Sequence, residues 1–123
     1  MYAVNQDTNI LLNGVGQTVS QNTFDLTNPN SRGMKLFVNM VAVGTGSVTV
    51  TIQGKDPVSG NYYTILASAA ITVNGFTTYT VYPGAPITAN VSVNDVLPRV
   101  WRVLATANNA NPANYTVAGC IIV

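Results

Sequence analysis

The feature that most constrains this chain is a two-residue period in its apolar side chains. In Ser47-Val48-Thr49-Val50-Thr51-Ile52-Gln53 the apolar and polar residues alternate without a break. Successive side chains of a strand point to opposite faces, so this segment reads as a strand with one face covered and the other wet. Helical spacing is nearly absent elsewhere, and strand signals recur along the chain. Residues 34–43 are apolar on both sides, as for a strand covered on both faces. Gly44-Thr45-Gly46 between these two segments predicts a hairpin joining them.

Turn chemistry supplies the punctuation. Gly54-Lys55-Asp56-Pro57-Val58-Ser59-Gly60-Asn61 predicts a turn returning into a strand from Tyr62 to Leu66. Asn74-Gly75, between Ile71-Thr72-Val73 and residues 77–82, predicts a second hairpin, and Leu11-Leu12-Asn13-Gly14-Val15 a third. A weaker strand is expected around Thr23-Phe24-Asp25-Leu26. Residues 87–95 alternate loosely and fit either a strand or an extended loop. Pro98 opens a strand over 97–105, which its missing N–H permits. Residues 108–114 read as a loop, and 115–123 as a last strand with a packed end. About eight strands at regular spacing describe an all-β fold, an antiparallel β-sandwich or jelly roll. Residues 1–8 are expected to be a flexible arm and 9–123 a single sandwich domain, since 123 residues suit one core.

Composition then narrows the function. Hydrophobic residues are 47% of the chain, but charged ones only 7%, against about 25% in an ordinary soluble domain. The surface must therefore be covered by Thr, Asn, Ser, Gln and Gly. Burying such groups against a partner costs far less than burying unpaired ions, so the surface suits assembly. The five cations, Arg32, Lys35, Lys55, Arg99 and Arg102, form no run, and the net charge is +1, which offers no footprint for nucleic acid. No apolar run approaches the roughly 18 residues of a membrane span. The N-terminal residues lack the pattern of a secretion signal, so the chain reads as a soluble protein made inside the cell.

The chemical inventory is thin. There is no His, which removes the commonest general base and metal ligand, and no Glu. Asp7, Asp25, Asp56 and Asp95 fall at turns or strand ends, where capping explains them. A single cysteine, Cys120, allows no internal disulfide or thiolate zinc site and is expected to be a buried, inert thiol. The chain is thus expected not to be an enzyme and to need no cofactor or metal. Tyr62, Tyr63, Tyr79, Tyr82, Tyr115 and Trp101 could stack on sugars, though core packing explains their alternation equally well. Arg99 and Arg102 stand out on an apolar strand. Arg102 shares a face with Val100 and Leu104, opposite Trp101 and Val103, so one arginine is expected to point inward or into a partner. A buried Arg persists only when paired, which predicts a salt bridge to Asp56 or Asp95, or a contact between subunits.

Three segments carry a resemblance. Residues 50–66, with Gly-Lys-Asp-Pro-Val-Ser-Gly-Asn-Tyr-Tyr over 54–63, then Val81-Tyr82-Pro83-Gly84, then Asp95-Val96-Leu97-Pro98-Arg99-Val100-Trp101-Arg102-Val103, resemble small virion structural proteins of tailed bacteriophages. The likeness covers roughly residues 34–123. It implies a capsid decoration protein that binds the major capsid protein on the particle's outside, made in the host cytoplasm and assembled as a homo-oligomer, often a trimer. Similar sandwiches serve in tail, head-completion and fibre proteins. A carbohydrate- or receptor-binding module of a tail or fibre is the alternative.

Overall fold

The computed structural model describes residues 5–123, which form eleven strands in two sheets. In chain order these are β1 (Gln6–Asp7), β2 (Leu12–Gln17), β3 (Gln21–Asn22), β4 (Leu26–Thr27), β5 (Gly33–Ala42), β6 (Val48–Lys55), β7 (Tyr62–Ala67), β8 (Gly75–Val81), β9 (Ser92–Val93), β10 (Val100–Ala107) and β11 (Ala113–Ile122). The first sheet runs β1-β11-β5-β8-β9, with β2 also pairing β11; the second runs β3-β10-β6-β7, with β4 also pairing β10. Every pairing is antiparallel except the short parallel contact of β8 with β9. The fold is an all-β sandwich of two layers, with more strands than the eight expected because four of them, β1, β3, β4 and β9, are two-residue pieces.

Alternation decides which side chains fill it. Met34, Leu36, Val38 and Met40 of β5 point inward from the first sheet, and Val48, Val50 and Ile52 of β6 point inward from the second. Trp101, Val103 and Ala105 of β10 join them, and Tyr115 and Val117 of β11 close the opposite side. Each Val, Leu, Ile and Met among them removes apolar surface worth about 1.5–3 kcal/mol from water. One contiguous hydrophobic cluster spans both layers.

The expected hairpins mark where local reading fails. β5 and β6 do not pair; they lie in different sheets, and the 43–47 connection arches over the end of the core. The arch is held by a Gly46 N–H bond to the Val43 carbonyl at 2.7 Å and a left-handed Gly44 at φ 53°. A two-residue period is the same whether the next strand lies beside or opposite. Five residues span the roughly 10 Å between layers easily. β5 is also covered on one face only: Phe37 and Val41 point outward, Phe37 stacking on Phe76 with ring centroids 6.2 Å apart.

Asn74-Gly75 likewise closes no hairpin. Ile71 bridges Val48 in the second sheet, whereas β8 belongs to the first, and the Asn74 side chain accepts the Val43 N–H at 2.9 Å to pin the crossing. β2 runs straight through Asn13-Gly14, and Gly14 is required there because the Tyr115 ring occupies the space a Cβ would take. The 54–61 turn does form as expected, with reciprocal backbone bonds around Asp56, Gly60 and Asn61. Of the expected arm, residues 1–4 lie outside the described residues. Gln6 and Asp7 instead pair with Ile121 and Cys120, and Thr8 bonds Gly119, so this part is laid along β11. The chain's end is packed, with the Val123 N–H bonded to Asn5 and its carbonyl to the Tyr82 hydroxyl.

Candidate functional site

The candidate site grows from two irregularities in the second sheet. β3 aligns Asn22 with Leu104, and β4 aligns Leu26 with Trp101. Four steps along one chain thus match three along β10, the signature of a bulge with one extra residue. Thr23 holds the bulge: its N–H bonds the Val103 carbonyl at 2.9 Å, and its hydroxyl accepts the Val103 N–H at 3.0 Å. The buried Thr23 thereby occupies the ladder alone, and the extra backbone turns Phe24 and Asp25 out, leaving Phe24 92% exposed.

The second irregularity is in β7. Ile52 faces Leu66 but Gln53 faces Thr64, so Ile65 is the extra residue. Beyond it Tyr62, rather than Tyr63, stands opposite Lys55. Tyr62 is thereby brought to the outer face, where Gln53, Lys55 and Arg102 project.

These side chains form a connected group. The Asp25 carboxylate accepts from Lys55 Nζ at 2.7 Å through one oxygen and from the Tyr62 hydroxyl at 2.6 Å through the other. Arg102 lies directly across the ladder from Gln53, donates Nε–H to its Oε1 at 2.9 Å, and sets its guanidinium 3.4 Å from the centroid of the Tyr62 ring. Lys55 approaches the same ring at 5.3 Å. The bonds from Lys55 and then Tyr62 hold the Asp25 carboxyl below its ordinary 3.8, and Asp25 holds the Lys55 ammonium above 10.5. Both groups are open to water, so their attraction is heavily screened.

Three adjoining concavities surround the group. One of about 480 Å³ is lined by Asn22, Thr23, Phe24, Asp25, Tyr62 and Arg102. The others, about 460 and 560 Å³, share Lys55, Asp56, Pro57, Arg99 and Val100 beside the 54–61 turn. Asp25, Lys55, Asp56, Arg99 and Arg102, most of the chain's charge, are thus gathered at one end of one face.

The residues singled out from sequence meet different fates. Arg102 is half-buried on the outer face and Arg99 is exposed, so neither arginine points into the core. Neither pairs with Asp56 or Asp95; the ion pair among the described residues is Lys55 with Asp25. Alternation explains it, because Trp101 and Val103 take the inward positions and leave Arg102 outside. Asp56 serves its own turn, bonding the Val58 N–H and the Ser59 hydroxyl, which lower its carboxyl below 3.8, Ser59 first. Asp95 bonds the Val96 N–H and stands apart from the cluster. Trp101 is 1% exposed in the core, its indole N–H without a hydrogen-bond partner. Cys120 faces outward and is half-buried rather than enclosed, its neighbours Val117 and Gly119 turning in.

Phe24, Asp25 and Lys55 were not marked by sequence as a site, and Tyr62 was marked only as one of several aromatic residues that could stack on a sugar. Only the Gln53–Arg102 pair follows from alternation once β6 and β10 are known to be neighbours. Among the described residues, no three His, Cys, Asp or Glu side chains stand together to hold a metal.

No family model matches the chain, and no curated protein matches it. Among solved structures, the crystal structure of Yersinia pseudotuberculosis-derived mitogen is similar over 97% of this chain and 82% of that one, with 11% identity and a TM-score of 0.40.

Proposed function

We propose that this chain is a structural component of a bacteriophage particle, a decoration protein that binds the outer shell as a homo-oligomer. The observation that carries the reading is how charge is distributed over the surface. With five of nine charged residues gathered at the 54–61 end, the rest of the outside carries only Asp7, Arg32, Lys35 and Asp95 among hydroxyl, amide and apolar groups, including the exposed Val15, Val41, Val73, Phe76 and Ile87. A symmetric assembly can cover such a surface without stripping water from many ions. The resemblance of residues 50–66 and 95–103 to virion proteins supplies the kind of assembly.

The test is mass spectrometry of gradient-purified particles from the virus that encodes the chain, with light scattering on the purified protein. The chain at a fixed ratio to the major capsid protein and an oligomer in solution are expected. A monomer missing from the particles would overturn the reading.

A second reading, a glycan- or receptor-binding module of a tail or fibre, is favoured by one observation. The concavity lined by Phe24, Tyr62, Asn22 and Arg102 joins aromatic rings to polar groups in the manner of a sugar site. Binding on a broad glycan array, lost on replacing Phe24, would establish it.

A further inference from the structure

We infer that the outer face around Phe24, Arg102 and Val58 is the surface that meets the shell, and that it receives a carboxylate-bearing loop of the shell protein. This rests on the shell-binding reading above and adds to it a place and a chemistry.

The guanidinium is the first ground. Arg102 is fixed by its Nε–H bond to Gln53 and by the Tyr62 ring beneath it, yet its two terminal nitrogens make no hydrogen bond to any described residue. An arginine held in this way has already lost its rotamer freedom and presents a planar fork that fits a carboxylate.

Local charge is the second ground. Both Asp25 oxygens are taken by Lys55 and Tyr62, and the Asp56 carboxylate is taken by its own turn. Three cations (Lys55, Arg99 and Arg102) stand here against two carboxylates (Asp25 and Asp56), and among the described residues only Lys55 and Asp25 form an ion pair, so Arg102 is left without an ionic partner. A partner carrying Asp or Glu completes it.

Apolar anchors are the third ground. Phe24 is 92% exposed and Val58 94% exposed, on the two concavities that meet at Asp25. Large side chains thrown so far into water, one of them by a bulge, flank the charged centre as apolar contacts flank a buried arginine in protein interfaces. A glycan fits less well: the two terminal guanidinium nitrogens offer a planar pair of donors, which matches the two oxygens of a carboxylate better than the separate hydroxyls of a sugar.

The experiment is co-sedimentation of the purified protein with shells stripped of it, comparing wild type with Arg102→Gln, Phe24→Ser and, on the other sheet, Lys35→Gln. Weakening by about tenfold or more for the first two, and by less than about twofold for Lys35→Gln, is expected. Added salt should weaken wild type more than Arg102→Gln. Phe24→Ser removes only an exposed side chain, so its thermal melt should match wild type and its binding result stands whatever happens to Arg102→Gln. Wild-type binding with full affinity in both variants would overturn the placement while leaving the shell reading intact. Wild type that does not sediment with shells would overturn both. Glycan-array binding abolished by Phe24→Ser, with no shell binding, would assign the same face to a sugar and refute the protein partner.

Discussion

The phenol of Tyr115, rooted in β11 of the first sheet, accepts a hydrogen bond at 2.8 Å from the Gln21 side chain in β3 of the second. Tyr115 is 2% exposed and its ring packs against Gly14, where an added Cβ would stand 2.6 Å from the ring's Cε1. Tyr115→Phe should cost about 1 kcal/mol, the usual worth of such a bond. Gly14→Ala should cost about 1–3 kcal/mol, because the buried ring has nowhere to retreat. Urea denaturation with unchanged slope would check both.

Tyr115 also sets an alkaline limit. Burial raises its pKa above 10.0, outweighing the opposing effect of Gln21. A group whose folded pKa is raised contributes fully below its unfolded value and loses that contribution as pH rises through the folded one. Stability should therefore fall above about pH 10 in wild type and fall less steeply in Tyr115→Phe, as followed by melts across alkaline buffers.

Thr23 makes the bulge possible, and its hydroxyl does what a ladder carbonyl would otherwise do. Thr23→Val keeps the shape but leaves the buried Val103 N–H unpaired, at a cost of about 1–3 kcal/mol. Thr23→Ser should retain most of the stability. Equal melting temperatures for the two variants would refute this role.

At the acid end the group to watch is Asp25. Its carboxyl lies below 3.8 when folded, chiefly through Lys55 and then Tyr62, so its contribution is complete above the unfolded value and is lost as pH falls through the folded one. An NMR titration should show the Asp25 carboxyl titrating below 3.8, and Lys55→Met should return it toward 3.8. A wild-type midpoint at or above 3.8 would contradict the geometry.

Cys120 sits opposite Asp7 in the β1–β11 pairing, and burial, then Asp7, raise its thiol above 9.0. Only the thiolate attacks, so alkylation at pH 8 should be slower than that of free cysteine. Asp7→Asn should quicken it without abolishing the lag. A wild-type rate equal to that of the free amino acid would contradict the assignment.

The two-layer architecture was legible because alternation depends only on neighbours in the chain, and Val48, Val50, Ile52, Val103 and Val117 all face where their period puts them. Pairing was not legible in the same way. A turn-forming Gly44-Thr45-Gly46 serves equally in a hairpin and in an arch, and choosing between them requires knowing that β11 and β8 flank β5. The site was harder still. Arg102 was marked as unusual, but its Tyr62 partner depends on one extra residue at Ile65, and the exposure of Phe24 depends on another beside Thr23. A shift of one residue flips a side chain to the other face, and nothing in composition or period announces it.

The arch between β5 and β6 bears on how the molecule must come together in time. β5 and β6, adjacent in the chain, belong to opposite layers, so β5 waits for β11, made some seventy residues later, and neither layer can be completed by a half-length chain. Closing such long loops costs entropy before any contact repays it, so folding should be slow for a chain of this size and should begin in earnest only once the last strand is available.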